Sequence, residues 1–130
     1  MITIAIAVMV DENTESLQET LSLISKISIF DKVYAYSDPA EAYRCIRKQG
    51  CDVLFTETDM KRMHGFTLVK RLSKLLPNLL VVFVTSKGEY AMEAFQNGAL
   101  DYILKPLNSS RLDKTVKKLR VHGCLCRDLR

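Results

Sequence analysis

No charge-free stretch of this 130-residue chain approaches the roughly 18 apolar residues that a membrane span requires. The amino terminus lacks the basic region and small-residue cleavage site of a secretory signal, so a cytoplasmic protein with no membrane partner is expected. No glycine-rich loop follows the first apolar run, which argues against a phosphate-cradling nucleotide site. No Ser-His-Asp or Cys-His arrangement is indicated, and His64 and His122 lie far apart, so nothing points to nucleophilic catalysis. The four cysteines suit a reducing compartment, and Cys45 and Cys51 read as small buried hydrophobes. His122, Cys124 and Cys126 offer three soft ligands, but structural zinc wants four and wider cysteine spacing, so a tail is the simpler reading. Internal repeats and low-complexity linkers are absent as well.

What is present is one ordinary core's worth of apolar residues, 48% of the chain. They fall into short runs alternating with helical patterns. Strands are expected over 2–9, 33–36, 52–56, 79–84 and 100–104. Helices are expected over 14–27, 39–49, 66–76, 89–97 and 109–121. Thr14 is a candidate N-cap, Asp38-Pro39 reads as N-cap and first helical residue, and Gly50 and Pro77 as stops. The first helix carries Leu17, Leu21, Ile24 and Ile27 at helical spacing, and the third carries Leu68, Val69, Leu72, Leu75 and Leu76. Strict alternation of strand and helix implies a single doubly wound α/β domain, a five-stranded parallel sheet with helices on both faces. The near-continuous apolar strands fit burial on both sides.

Charge is unevenly spread over the chain, whose net is +4. Residues 111–130 hold seven of the 19 basic side chains against two acids, Asp113 and Asp128. Such a segment can touch nucleic acid or an acidic partner, but no aromatic residue is interleaved with the charges. A solvated helix face, with cations near a helix C-terminus, is the simpler account.

The ends of the strands hold the chemistry. Glu57 closes the run Val53 to Thr56, Thr85 closes the run from Leu79, and Lys105-Pro106 closes the run from Leu100. Asp11 and Glu12 follow the first run. In an open parallel sheet the carboxyl edge of the strands is where ligands bind.

That order of residues resembles the receiver domain of two-component response regulators, over about residues 2–120. Thr85 to Phe95 and Gly98-Ala99-Leu100-Asp101-Tyr102-Ile103-Leu104-Lys105-Pro106 are similar to receivers that precede LytTR-type DNA-binding domains. The resemblance implies the flavodoxin-like strand order 2-1-3-4-5, with a receiver over 1–121 and a basic tail or linker over 122–130. It implies a module that takes a phosphoryl group from a histidine kinase onto an aspartate, aided by Mg²⁺ held on acids after the first strand. Thr85, Lys105, Pro106 and Gly65 match the family's positions, with a cis Lys105–Pro106 bond, and Tyr102 matches its switch aromatic. Face 89–118 matches the surface through which many receivers dimerise or grip an output domain.

Two positions depart from the pattern. Glu57 stands where the family has its acceptor aspartate, and Val10 stands where it has the first of its metal-binding acids, leaving Asp11 in the second place. Reading Asp11 and Glu12 as the acid pair instead would lengthen the first strand. Asp59, two residues past Glu57, contributes a carbonyl at the family's metal-ligating position. Asp11, Glu57 and Asp59 together make at most a thin Mg²⁺ site, and no other cofactor is implied. Lys61 and Arg62 replace the family's usual Pro-Gly. The expectation is therefore an atypical pseudo-receiver, not an enzyme, that regulates an output such as transcription by protein contact. A phosphorylatable receiver using Mg²⁺ is the alternative, and a small flavodoxin-like enzyme or nucleotide binder a third. Glu57 either stands in for an aspartyl phosphate, pairing with Lys105 and accepting from Thr85, or simply neutralises Lys105. A direct Glu57–Lys105 ion pair is expected either way. For assembly, a weak homodimer through 89–118 is expected, with Glu89, Glu93 and Asp101 meeting Arg111, Lys114, Lys117 and Lys118 of the other copy.

Overall fold

The structure is a computed structural model that describes residues 5–121. The tail over 122–130, with the His122-Cys124-Cys126 group, lies outside the described residues. Strands β1 (Ile6–Val10), β2 (Lys32–Tyr36), β3 (Val53–Thr56), β4 (Leu80–Thr85) and β5 (Asp101–Leu104) pair in parallel in the order β2-β1-β3-β4-β5. They alternate with α1 (Thr14–Ile24), α2 (Pro39–Gln49), α3 (Gly65–Leu75), α4 (Ala91–Gln96) and α5 (Ser109–Val121).

The strand period of two divides the core between the faces of the sheet. Ala7, Met9, Val53, Phe55, Val82, Val84 and Ile103 pack with Leu17 and Ile24 of α1 and Leu112 and Leu119 of α5. Val8, Val10 and Leu54 point the other way, onto Ala42 and Ile46 of α2 and Leu68 and Leu72 of α3. Phe83, Val81 and Tyr102 continue that second face toward Ala94 of α4. Val10 is thus a core residue, committed to the α2–α3 side.

Local chemistry sets the helix ends, with several departures from expectation. Asn13, not Thr14, caps α1, its Oδ1 accepting from the Ser16 N–H at 2.9 Å. The helix stops at Ile24, yet Ile27 beyond it still packs on the core. Asp38 caps α2 with Pro39 in its first turn, and Gly50, at φ 83°, ends it as a residue without Cβ can. In α3, Leu68 and Leu72 are buried, while Leu75, on the same stripe but the last residue of the helix, is exposed. The expected helix over 89–97 divides into a 3₁₀ turn (Gly88–Tyr90) and the short α4.

Neither Cys45 nor Cys51 is fully buried. Cys45 Sγ accepts from the Tyr36 hydroxyl at 2.6 Å and from Gln49 Nε2 at 3.1 Å. Cys51 instead donates toward the carbonyls of Val53 and Ile6, and desolvation lifts its thiol to about 12. These cysteines act through hydrogen bonds more than as plain apolar filler.

Candidate functional site

The β1, β3, β4 and β5 termini bring Asp11, Glu57, Thr85 and Lys105 to one edge, as parallel pairing in register requires. Asp11, Glu12, Asn13, Thr14, Ser37, Glu57, Asp59, Lys61, Arg62, Ser86 and Lys105 line an open cleft of about 720 Å³. The Lys105–Pro106 peptide is cis.

At the floor of the cleft the Lys105 ammonium lies 2.7 Å from Asp11 Oδ2 and 3.0 Å from Glu57 Oε1. Burial opposes the charge on this lysine, but the hydrogen bonds it donates to the two carboxylates outweigh it and raise its pKa above the ordinary value. The other oxygen of Glu57 is equally occupied. Oε2 accepts from the Thr58 N–H at 2.7 Å and from the Thr58 hydroxyl at 3.2 Å. Asp11 Oδ1 accepts from the Asn13 N–H.

Three expectations about neighbouring residues change. Thr85 does not reach Glu57; its hydroxyl lies 3.1 Å from that of Thr58 and accepts from the Lys87 N–H at 3.2 Å. Glu12 does not face Asp11 as a second acid, because its carboxylate accepts from the backbone N–H groups of Lys61 at 2.5 Å and Arg62 at 2.9 Å. It thereby ties the β3–α3 loop to the start of α1, and Arg62 adds an ion pair to Asp38, the cap of α2. Asp59 turns its carboxylate outward, to Lys87 Nζ at 2.7 Å and His64 Nε2 at 3.3 Å. The hydrogen bond from Lys87 leads in holding Asp59 below the usual carboxylate range.

The expected Mg²⁺ set of Asp11, Glu57 and Asp59 is therefore not assembled. Asp11 and Glu57 share the Lys105 ammonium, the Asp59 side chain, whose carbonyl was the expected ligand, pairs with Lys87, and among the described residues no three His, Cys, Asp or Glu side chains gather for a metal ion. Val10 ends β1 and points into the core on the α2–α3 side, so it offers the cleft no ligand. These residues do not fit the ion.

Gly65 has a definite task. A Cβ there would overlap the Glu57 carbonyl oxygen, and the Gly65 N–H donates to the Thr58 carbonyl at 2.7 Å. The first turn of α3 can approach the acid only because this residue has no side chain. His64 caps the same turn, Nδ1 accepting from the Phe66 N–H at 3.2 Å.

Tyr102 is buried, its ring on Phe83 with centroids 6.0 Å apart and its hydroxyl donating to the Lys87 carbonyl, not to water. Burial raises this phenol's pKa. Its neighbour Asp101, only 1% exposed, anchors a network that the sequence reading missed. The carboxylate accepts from Arg111 Nη1 and Nη2 at 3.0 and 2.9 Å, Thr115 Oγ1 at 2.7 Å, Lys118 Nζ at 3.1 Å and the Tyr102 N–H at 2.9 Å. Asp101, Arg111 and Lys118 are thus paired within one chain, not free for a second copy as expected. The available signal was an acid opening an apolar strand. Thr58, also missed, was signalled by a hydroxyl directly after the strand-end acid.

The model of the response regulator receiver domain matches residues 7–117. The chain belongs to this family. Receivers are modules of two-component signalling and as a class not enzymes. This receiver is 32% identical over 112 residues to the sensory transduction protein LytR of Streptococcus agalactiae, covering 85% of this chain and 46% of that protein. It is 30% identical to the sensory transduction protein LytT of Bacillus subtilis, with the same coverage of 85% and 46%. The chain spans about half the length of these curated relatives. Among solved structures, the response regulatory domain of mrkE from Klebsiella pneumoniae superposes with a TM-score of 0.80 at 28% identity, covering 89% of this chain and 95% of that one. A receiver domain protein from Clostridium thermocellum, at 22% identity and TM-score 0.76 over 96% and 97% of the chains, shares the fold.

Proposed function

We propose that this chain is an atypical receiver whose cleft acids are held by its own side chains, so that it signals by protein contact in a state set by Glu57. The observation that carries this reading is the full engagement of the Glu57 carboxylate, Oε1 by Lys105 and Oε2 by Thr58. A nucleophile so held must break an ion pair before it can attack. Glutamate also carries its carboxylate farther by about one C–C bond, ~1.5 Å. A displacement of ~1 Å can cost on the order of 10²-fold in rate. The turn of the Asp59 carboxylate to Lys87 supports the same reading.

The partners in this reading are a histidine kinase or another signalling protein in the cytoplasm. In a longer protein, a LytTR-type DNA-binding domain joined through 122–130 would make transcription the output; the relatives named sensory transduction proteins support this. A weak homodimer would use face 89–118, but with its chemistry revised. Asp101, Arg111 and Lys118 are spent within the chain, whereas Met92, Phe95 and Leu104 are 74%, 47% and 53% exposed. The contact would be apolar at its centre, with Glu89, Glu93, Lys114 and Lys117 at the rim.

Incubation with acetyl phosphate and Mg²⁺, read by intact mass, tests the reading, with beryllofluoride binding as a second measure. No gain is expected for the natural sequence. Glu57→Asp is expected to recover some phosphorylation, whereas Val10→Asp would bury a carboxylate beside Ala42, Ile46 and Leu68 and destabilise the chain. A stoichiometric, hydroxylamine-labile gain of one phosphoryl group by the natural chain would establish the phosphorylatable alternative.

A further inference from the structure

We propose that Thr58 is the positioning residue through which Glu57 acts on Thr85 and the β4–α4 turn, by a hydroxyl relay running in one direction. The proposal rests on the reading of Glu57 as the fixed acid of the cleft, and it identifies how that acid reaches the switch positions it does not touch. Thr58 and Thr85 are both 0% exposed, so their hydroxyls must find partners inside the protein. Thr56, on the other side of Glu57, is not available, because its hydroxyl donates to the Glu57 carbonyl at 3.0 Å.

Donor accounting fixes the direction. A hydroxyl has one proton, and a carboxylate is acceptor only. Thr58 gives its proton to Glu57 Oε2, so in the 3.1 Å contact between the two threonines it must accept, and Thr85 must donate. Thr85 then has lone pairs left for the Lys87 N–H, which it accepts at 3.2 Å. The chain therefore reads Lys87 N–H to Thr85 to Thr58 to the Glu57 carboxylate, with the negative charge at its end polarising every link. Lys87 is the junction at the far end. Its carbonyl accepts the Tyr102 hydroxyl and its ammonium holds Asp59.

Neutralising the acid disrupts this order from the first link. The amide of Glu57→Gln must present its NH₂ either to the Lys105 ammonium or to the Thr58 N–H, donor against donor. The ammonium keeps the amide oxygen, so the NH₂ faces Thr58, whose hydroxyl then accepts from it and turns its own proton to Thr85, and the acceptor seen by the Lys87 N–H weakens. The state of Glu57 is in this way read at Lys87, beside Tyr102, although no atom of Glu57 bonds Thr85.

Amide exchange at Lys87, measured by NMR, tests the relay in a cycle of Glu57→Gln and Thr58→Val. In the natural background, Glu57→Gln is expected to accelerate exchange of the Lys87 N–H by roughly fivefold to tenfold, the worth of one hydrogen bond. With Thr58→Val, Glu57→Gln should change it no further, and Thr58→Ser, which keeps the hydroxyl, should restore the response. An equal response in the Thr58→Val and natural backgrounds, or none in the natural one, overturns the proposal. Should Thr58→Val fail to fold, the unmodified chain decides: both threonine hydroxyl protons must be slowed in exchange, and free-hydroxyl rates at either would exclude the relay. Phosphorylation of the natural chain is measured separately by mass, so failure of the reading of Glu57 as a held acid and failure of the relay give different results.

Discussion

Lys105 is the residue on which the acid cleft depends. It lies between Asp11 and Glu57, so removing it leaves two acids, buried and close together, without their cation. Lys105→Met is expected to cost roughly 2–4 kcal/mol in urea unfolding, below the full buried-pair figure because the cleft is open on one side. Glu57→Gln should cost less, about 1 kcal/mol, since Asp11 still holds the ammonium. In the Lys105→Met background Glu57→Gln should cost still less or become favourable; equal costs in both backgrounds would mean that the two groups are uncoupled. Because the folded pKa of Lys105 is raised, its contribution is fully present below the unfolded value of about 10.4 and fades as pH rises through the folded one. Tyr36 offers a second check in the same pH range. Burial first, and then Cys45, push its phenol to about 12, so in an ultraviolet titration Tyr36 should ionise well after an exposed tyrosine near ~10.

At the scale of elements, the clasp between β5 and α5 sets how the last helix lies. Burial disfavours the Asp101 carboxylate, but Arg111, Thr115, the Tyr102 N–H and Lys118 more than compensate, and its pKa falls well below the ordinary range. A depressed acid contributes stability that is present above the unfolded pKa of ~3.9 and is lost as pH falls toward the folded value. Asp101→Asn is therefore expected to cost about 2–3 kcal/mol at neutral pH. It should also flatten the acid limb of the stability curve below pH ~4; a limb of unchanged steepness would remove Asp101 as its source. The first turn of α3 gives a steric counterpart. Gly65→Ala must push that turn away from the Glu57 carbonyl, with an expected cost of roughly 1–3 kcal/mol in thermal or urea unfolding.

For the whole molecule, the question is which face meets other proteins. The basic face of α5 shows Lys114, Lys117 and Arg120 to solvent while Leu112, Thr115 and Leu119 face the sheet, as an ordinary amphipathic helix does. Reversing Arg111 would break the clasp on Asp101 and confuse a test of assembly. Phe95 lies beneath the Lys118 ammonium at 5.8 Å and is left unchanged, whereas Met92→Ser with Leu104→Ser spares the clasp. If the chain self-associates, this pair is expected to shift it toward monomer in sedimentation at low salt. An unchanged dimer would place the contact on another face.

The sequence by itself determined the architecture and the members of the cleft. Short, near-continuous apolar runs alternating with period-3.6 patterns mark strands buried on both faces and the helix stripes that cover them, and parallel connections then gather the strand ends at one edge. Glu57, Thr85 and Lys105 were legible for that reason, as was Asp38-Pro39 at a helix start, because cap chemistry acts within one turn. The orientation of polar side chains was decided only by the tertiary structure. Asp59 could face the cleft or Lys87, Glu12 could face Asp11 or the loop at Lys61, and Asp101 could face a partner or Arg111. In each case the choice depends on which donors, up to 50 residues distant in the chain, arrive within about 3 Å once the strands are paired. Hydrogen bonds are short and directional, whereas hydrophobic burial follows area and periodicity. The pattern of residues therefore encodes the frame, and the paired frame selects the bonds.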